Sequence, residues 1–361
     1  MELDTRFING ATASHPRRSL TGRRTRLLLA VLVAGSAVSI AAAADAATGP
    51  PAAAAPGSAS SITKDALFGV AATAASNAWA VGSTEEASGT IETVILRWAG
   101  KTWKRVPSPS PGTASILRSV AATSAGNAWA VGGTAGDASI AAGPLIERWN
   151  GKTWKRVPSP VKGGDLFGVA ATSTRSAWAV GSSGTAAVIL HWNGKAWKRV
   201  SSPTGLTLNA VTAVSTRDAW AVGYTIEGKA LIVHWNGSSW KRTPSTADPL
   251  YGVTATSASN AWAVGESVIL RWNGKTWKLS STPVTTDFLG AATARKPSRA
   301  WAAGDDDLLS WNGSAWKSVP TPLLSTLLAV GAASASDAWA VGDDLIMHWN
   351  GVRWTCTGAC N

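Results

Sequence analysis

The chain has 361 residues, 45% hydrophobic and only 15% charged, with 36 Gly, 17 Pro and 2 Cys. That apolar share excludes a largely disordered chain, and two cysteines exclude both a disulfide scaffold and a zinc site built on Cys. Lys and Arg outnumber Asp and Glu 33 to 21, and 21 Trp stand against 4 Phe and 2 Tyr. Both imbalances need an explanation before a partner or a fold can be inferred from them.

In chain order, the first element is an address. Arg17, Arg18, Arg23, Arg24 and Arg26 precede an apolar run from Leu27 to Ile40, and Ala44-Asp45-Ala46 supplies small residues at signal-peptidase spacing. Residues 1–46 therefore read as a signal peptide, with the mature protein secreted and without a transmembrane domain. The apolar run, broken by Gly35 and Ser36, is short for a membrane span of about 20 residues. Removing the leader leaves 27 bases against 18 acids. Residues 47–62, rich in Ala, Pro and Ser, read as a flexible linker.

From residue 63 to 361 one unit recurs. Ala-Trp-Ala-Val-Gly or a near variant places a Trp at 79, 129, 178, 220, 262, 301 and 339. A second Trp follows at 98, 149, 192, 235, 272, 311 and 349, usually before Asn-Gly, and a third always five residues later. Three Trp in each of seven units use all 21. Each unit reads as four short strands. In the second these are Ser119 to Thr123, Ala128 to Val131, Leu145 to Trp149 and Thr153 to Val157, named a to d. Asn150-Gly151 makes c and d an antiparallel hairpin whose two Trp share a face, diagonal or directly opposed according to loop length. Four-stranded units of this size, seven times over, predict an all-β fold, a seven-bladed β-propeller.

The string Trp129-Ala130-Val131-Gly132-Gly133, followed by a variable loop, an apolar strand, a turn and a Trp, resembles the kelch repeat of galactose-oxidase-like propellers. The resemblance covers all seven units and implies a ring with strand a lining the axis. The oxidase chemistry of that family, which needs a Tyr crosslinked to Cys and copper-binding His and Tyr, does not carry over. The two Tyr here are Tyr224 and Tyr251, and both Cys lie at the C-terminus.

Variation in length falls between the first and second Trp (19, 20, 14, 15, 10, 10 and 10 residues), so the b–c loops vary while the c–d turns do not. A constant face opposite a variable one is the layout of a binding surface. The acids follow it: Glu266, Asp305, Asp306, Asp343 and Asp344 stand in b–c loops, and Asp65, Asp165, Asp248 and Asp287 stand just before the Gly of strand a, near the expected channel mouth. These nine are the candidate ligand-binding residues. Converging carboxylates admit Ca²⁺ or a cationic ligand, but Asp and Gly-Asp-Asp also form turns, so no cofactor is expected. The c–d hairpins hold the bases.

Strict recurrence assigns the Trp to packing between blades rather than to sugar stacking. His191, His234 and His348 occupy the repeat position held elsewhere by Arg97, Arg148, Arg271 and Ser310, which reads as solvated rather than catalytic. Cys356 and Cys360 are expected to form a disulfide locking the last strand. With no nucleophile elbow, metalloprotease or phosphate-loop motif, no catalytic residue is assigned. The chain reads as a non-catalytic, monomeric, extracellular binding module for a glycan, cell-wall polymer or protein, not for nucleic acid. The alternative is a lyase or hydrolase with an acidic, metal-assisted site at the channel mouth.

Overall fold

The second repeat sets the pattern of the molecule. Its strands are β5 (Ala114–Ser124), β6 (Asn127–Ala135), β7 (Gly143–Trp149) and β8 (Trp154–Arg156), an antiparallel meander in which each strand pairs with the next. The first repeat is built alike from β1 (Asp65–Ala74), β2 (Asn77–Glu85), β3 (Ile91–Trp98) and β4 (Trp103–Arg105). The computed structural model describes residues 65–136, 141–203, 205–283, 288–305, 307–321 and 326–357. The leader, the linker, Asp287, Asp306 and Cys360 lie outside them. Among the described residues there are 28 strands and no helix.

The strands form five four-stranded sheets and one of eight strands. The larger sheet is the first two repeats, joined through a single parallel pair, Ile91 with Ala114. Counted as sheets the bodies number six; counted by repeat, seven. The inner strands run longer than the sequence suggested, because β5 begins five residues before Ser119.

A bulge explains that extension. In the first, second, fourth, fifth and seventh units the register of strand a skips one residue, Phe68, Arg118, Asn209, Tyr251 and Leu328 respectively, and Phe167 is skipped in the third. The kink drives the strand-a backbone against strand b, at the Gly that ends each Ala-Trp-Ala-Val-Gly string. A Cβ on Gly132 would lie 1.9 Å from the Ile116 carbonyl oxygen, and one on Gly181 equally close to that of Asp165. The recurrent Gly is therefore a steric requirement of the bulge.

The c–d loop has four residues. Asn150 Oδ1 accepts hydrogen bonds from the backbone of Lys152 and Thr153, and Gly151 adopts φ +95°, so Trp149 and Trp154 pair directly across the hairpin. This settles the alternative that the Asn-Gly signal left open.

Each first Trp, at most 2% exposed, packs against the second and third Trp of the following unit. Trp129 lies 4.9 Å from Trp192 and 5.0 Å from Trp197, the latter edge-to-face at 79°. The same triad closes the circle, with Trp339 of the last unit 4.8 Å from Trp98 and 4.9 Å from Trp103 of the first. Every second Trp donates its indole N–H to a carbonyl of its own a–b turn, as Trp149 does to Ala125 at 3.0 Å. Burial of about 150–250 Å² per aromatic makes these triads the main cement between units.

In six units the Arg or His before the second Trp caps the first; the sixth unit has Ser310 there. Arg148 lies 5.0 Å over Trp129, and His234 and His348 stack on Trp220 and Trp339 at 4.0 and 4.2 Å. A partner two residues before the first Trp holds the cap. Asn127 accepts from Arg148, whereas Asp218 and Asp337 lie 2.6 Å from His234 and His348. The reading of these His as merely solvated is thus replaced: they are half-buried lids on the tryptophan triads.

Inner strands meet backbone to backbone. A Cβ on Gly168 would lie 2.9 Å from Ala210 Cα of the next unit, and one on Gly331 would lie 2.6 Å from the Val70 oxygen of the first. In the sixth unit, Arg295 donates to the carbonyls of Ala332 and Ala72, spanning the seventh and first units at the C-terminal end of the inner strands.

Candidate functional site

At the opposite, N-terminal end of the inner strands the bulges aim side chains away from the ladder. Three of them reach toward the next unit. Arg118 forms an ion pair with Asp165 at 3.3 Å and lies 5.4 Å over Phe167, and Asn209 donates to the Leu250 carbonyl at 2.8 Å. Tyr251 packs 4.7 Å from Phe288 and 6.5 Å from Tyr224. In the sixth unit the bulge position falls on Gly290, whose Cβ would meet the Phe288 ring at 2.8 Å. The place held by Gly69 and Gly168 in their units is taken here by Ala291, paired with Ala303.

This collar gathers all the described aromatics that are not Trp: Phe68, Phe167, Tyr224, Tyr251 and Phe288, each half-buried. Nothing in the repeat pattern marks these positions, because only the missing ladder pair identifies a bulge. The aligned residues Phe, Arg, Phe, Asn, Tyr, Gly and Leu look like noise until the register is known.

The nine predicted acids do not form one site. Asp65, Asp343 and Asp344 come together at the seam between the last and first units. There Asp343 bridges to Ala66, and the Asp344 amide donates to the Asp65 carbonyl at 3.2 Å. Burial pushes the Asp65 carboxyl above its ordinary range, as do Asp344 and Glu86, while Arg105 and a Thr84 hydrogen bond oppose them. Asp343 is raised by burial and by Asp344, and Asp344 by burial, against a hydrogen bond with the Asp65 backbone. Asp165 is bound to Arg118, and the exposed Asp248 pairs with Lys229 at 3.0 Å. Glu266 accepts from the Tyr251 hydroxyl at 2.8 Å; burial, this bond and the Glu266 charge together hold that phenol protonated. The Asp305 carbonyl supports Leu327 of the next unit, and Asp287 and Asp306 lie outside the described residues. Among the described residues no group of three His, Cys, Asp or Glu converges closely enough to hold a metal ion.

The b–c turns thus sit at the collar end, while the c–d hairpins reach the a–b turns at the other, as the alternation of loops required. Sheets arranged in sequence, inner strands in mutual contact and a last unit packed on the first make a closed circle.

The solved structures agree. A streptogramin B lyase superposes with a TM-score of 0.63 over 82% of this chain and 95% of its own, at 14% identity. The WD40 β-propeller domain of Doa1 gives 0.59 over 79% and 92%, at 12% identity. The chain is a β-propeller. A virginiamycin B lyase from Staphylococcus aureus is similar to this propeller at TM-score 0.60 and 13% identity, over 79% of this chain and 93% of its own. These identities carry the fold and nothing finer, and the kelch type expected from Gly132-Gly133 is not singled out among them. No protein-family model matches the propeller, and no curated protein does.

Proposed function

We propose that the protein is an exported, seven-bladed binding module that seats its ligand on the collar at the N-terminal end of the inner strands. The observation that carries this reading is the segregation of aromatics. Trp is confined to the contacts between blades, whereas the described Phe and Tyr collect at one end, half-buried, with Phe68, Phe167 and Tyr251 on bulges that re-aim them. Carboxylates at the seam and beside Arg118 flank them. The surface suits a protein or glycan segment that offers an apolar face and a cationic or hydroxyl group.

Double replacement Phe167→Ala and Tyr251→Ala should weaken capture of the partner from a glycan, cell-wall and secretome panel at least tenfold, with thermal stability within a few degrees of the parent. Unchanged capture by a folded double variant would remove the collar from the reading. The acidic lyase or hydrolase remains the second reading, favoured by the three seam carboxyls whose burial keeps them protonated more readily than usual. Turnover abolished by Asp343→Asn but untouched by Asp248→Asn, which faces only Lys229, would favour it over binding.

Export rests on the leader, and the terminal lock rests on Cys356, which ends the last strand, and Cys360, outside the described residues. Intact mass of the exported protein should show a chain starting near Ala47 and two hydrogens lighter than the dithiol. A full-length or dithiol mass would contradict one or the other.

A further inference from the structure

The bases of the outer edge are not spread evenly around the ring. Strand d carries Lys-Arg in four consecutive units, at Lys104-Arg105, Lys155-Arg156, Lys198-Arg199 and Lys241-Arg242. The next three units carry Lys278-Leu279, Lys317-Ser318 and Thr355-Cys356 instead. All eight cations of the arc are exposed, and none forms an ion pair within 4 Å among the described residues.

In the second and third units the arc opens into equivalent clefts between the start of strand c and the loop after strand d. One, of about 420 Å³, is lined by Pro144, Arg156, Pro158 and Lys162. The other, of about 610 Å³, is lined by Ala186, Arg199, Ser202 and Pro203. In the first unit the same place is zipped shut by the Ile91–Ala114 pair and by Thr93, which bonds Ser110 and Pro109. Two adjacent clefts, each presenting guanidinium donors within a longer arc that makes no close ion pair among the described residues, make a periodic anion surface.

We propose that the rim of the first four units docks a flexible linear polymer carrying phosphate groups, threaded past Arg156 and Arg199. A flat membrane would meet an edge-on ring over one or two units, whereas a flexible chain can follow four. Nucleic acid would in addition need exposed aromatic platforms for its bases, and among the described residues the rim exposes none, because its Trp rings are packed in the triads. This surface is separate from the collar and does not depend on it.

Fluorescence-detected binding of inorganic polyphosphate to the full chain tests the idea. Affinity should rise with chain length from about 10 to 60 phosphates, fall steeply with salt, and greatly exceed that for orthophosphate. The double variant Lys198→Ser and Arg199→Ser should bind about tenfold more weakly. Lys275→Ser and Lys278→Ser, which remove the same charge from the fifth unit, should change binding less than twofold, with circular dichroism confirming both folds. Equal losses in the two variants would reduce the effect to net charge and overturn the proposal. Length-independent binding, tighter binding to single-stranded DNA of matched charge, or binding to anionic phosphatidylserine vesicles alone would overturn it as well.

Discussion

Replacing Trp339 by Ala should cost about 3–5 kcal/mol and lower the melting temperature by roughly 10 °C. Trp339 is fully buried, contacts Trp98 and Trp103 of the first unit, and carries His348 stacked on its other side. Alanine leaves a void that rigid neighbours cannot fill, since Trp98 and Trp103 are held by the hairpin between them. Trp339→Phe should recover more than half of the loss, because a smaller ring still fills most of the slot. Calorimetry decides the matter: a cost below 1 kcal/mol would mean that the Trp contact does not hold the last unit to the first.

The second large effect concerns a carboxyl where every other unit is apolar. Glu147 stands two residues before the second Trp, in the place of Leu96, Leu190, Val233, Leu270, Leu309 and Met347. It is fully buried, and neither oxygen has a hydrogen-bond partner. Burial pushes its pKa up to about 8, with the Arg156 charge, across the ladder, pulling the other way less strongly. Because the folded value lies above the unfolded value of 4.5, the fold holds the proton more tightly than the unfolded chain. Stability is therefore complete below about pH 4.5, declines as the pH rises, and is lower by on the order of 4 kcal/mol above pH 8. Glu147→Leu, which copies the third unit, should remove Glu147's part of this slope and stabilise the protein at pH 8 by a similar order. Denaturant titrations at pH 5, 7 and 8.5 check both; an identical pH profile in the variant would show that another group titrates.

The scaffold was legible because its signals are covalent spacings. Three Trp per unit and a Gly after strand b recur in all seven units, and Asn-Gly in the c–d turn recurs in six, each reflecting a local demand on the sequence. The candidate site was legible only in part. Counting acids pointed to the end of the molecule where the bulges lie, but Asp165, Asp248 and Glu266 each have a private partner, and among the described candidates the seam acids are the ones that meet. Pairing is a matter of side-chain reach between neighbouring units, which spacing within one unit does not encode. The collar was invisible because a bulge is an unpaired residue, and Phe68 or Tyr251 differs from its neighbours only in having no partner across the ladder. One relation could have been read earlier. Asn127 accompanies Arg148, while Asp218 and Asp337 accompany His234 and His348, so the two positions change together within a single chain. That exchange signals contact, and the triad lids follow from it.

The closed circle of tryptophan triads has a further consequence. An open stack of repeats has two terminal members, each needing a polar outer face to stay soluble. Here the last unit is the neighbour of the first, so each of the seven has two partners and none is a cap. The interior of the ring therefore has no ends, and the seventh Ala-Trp-Ala-Val-Gly, at Ala338 to Gly342, is as faithful to the pattern as the fifth at Ala261 to Gly265.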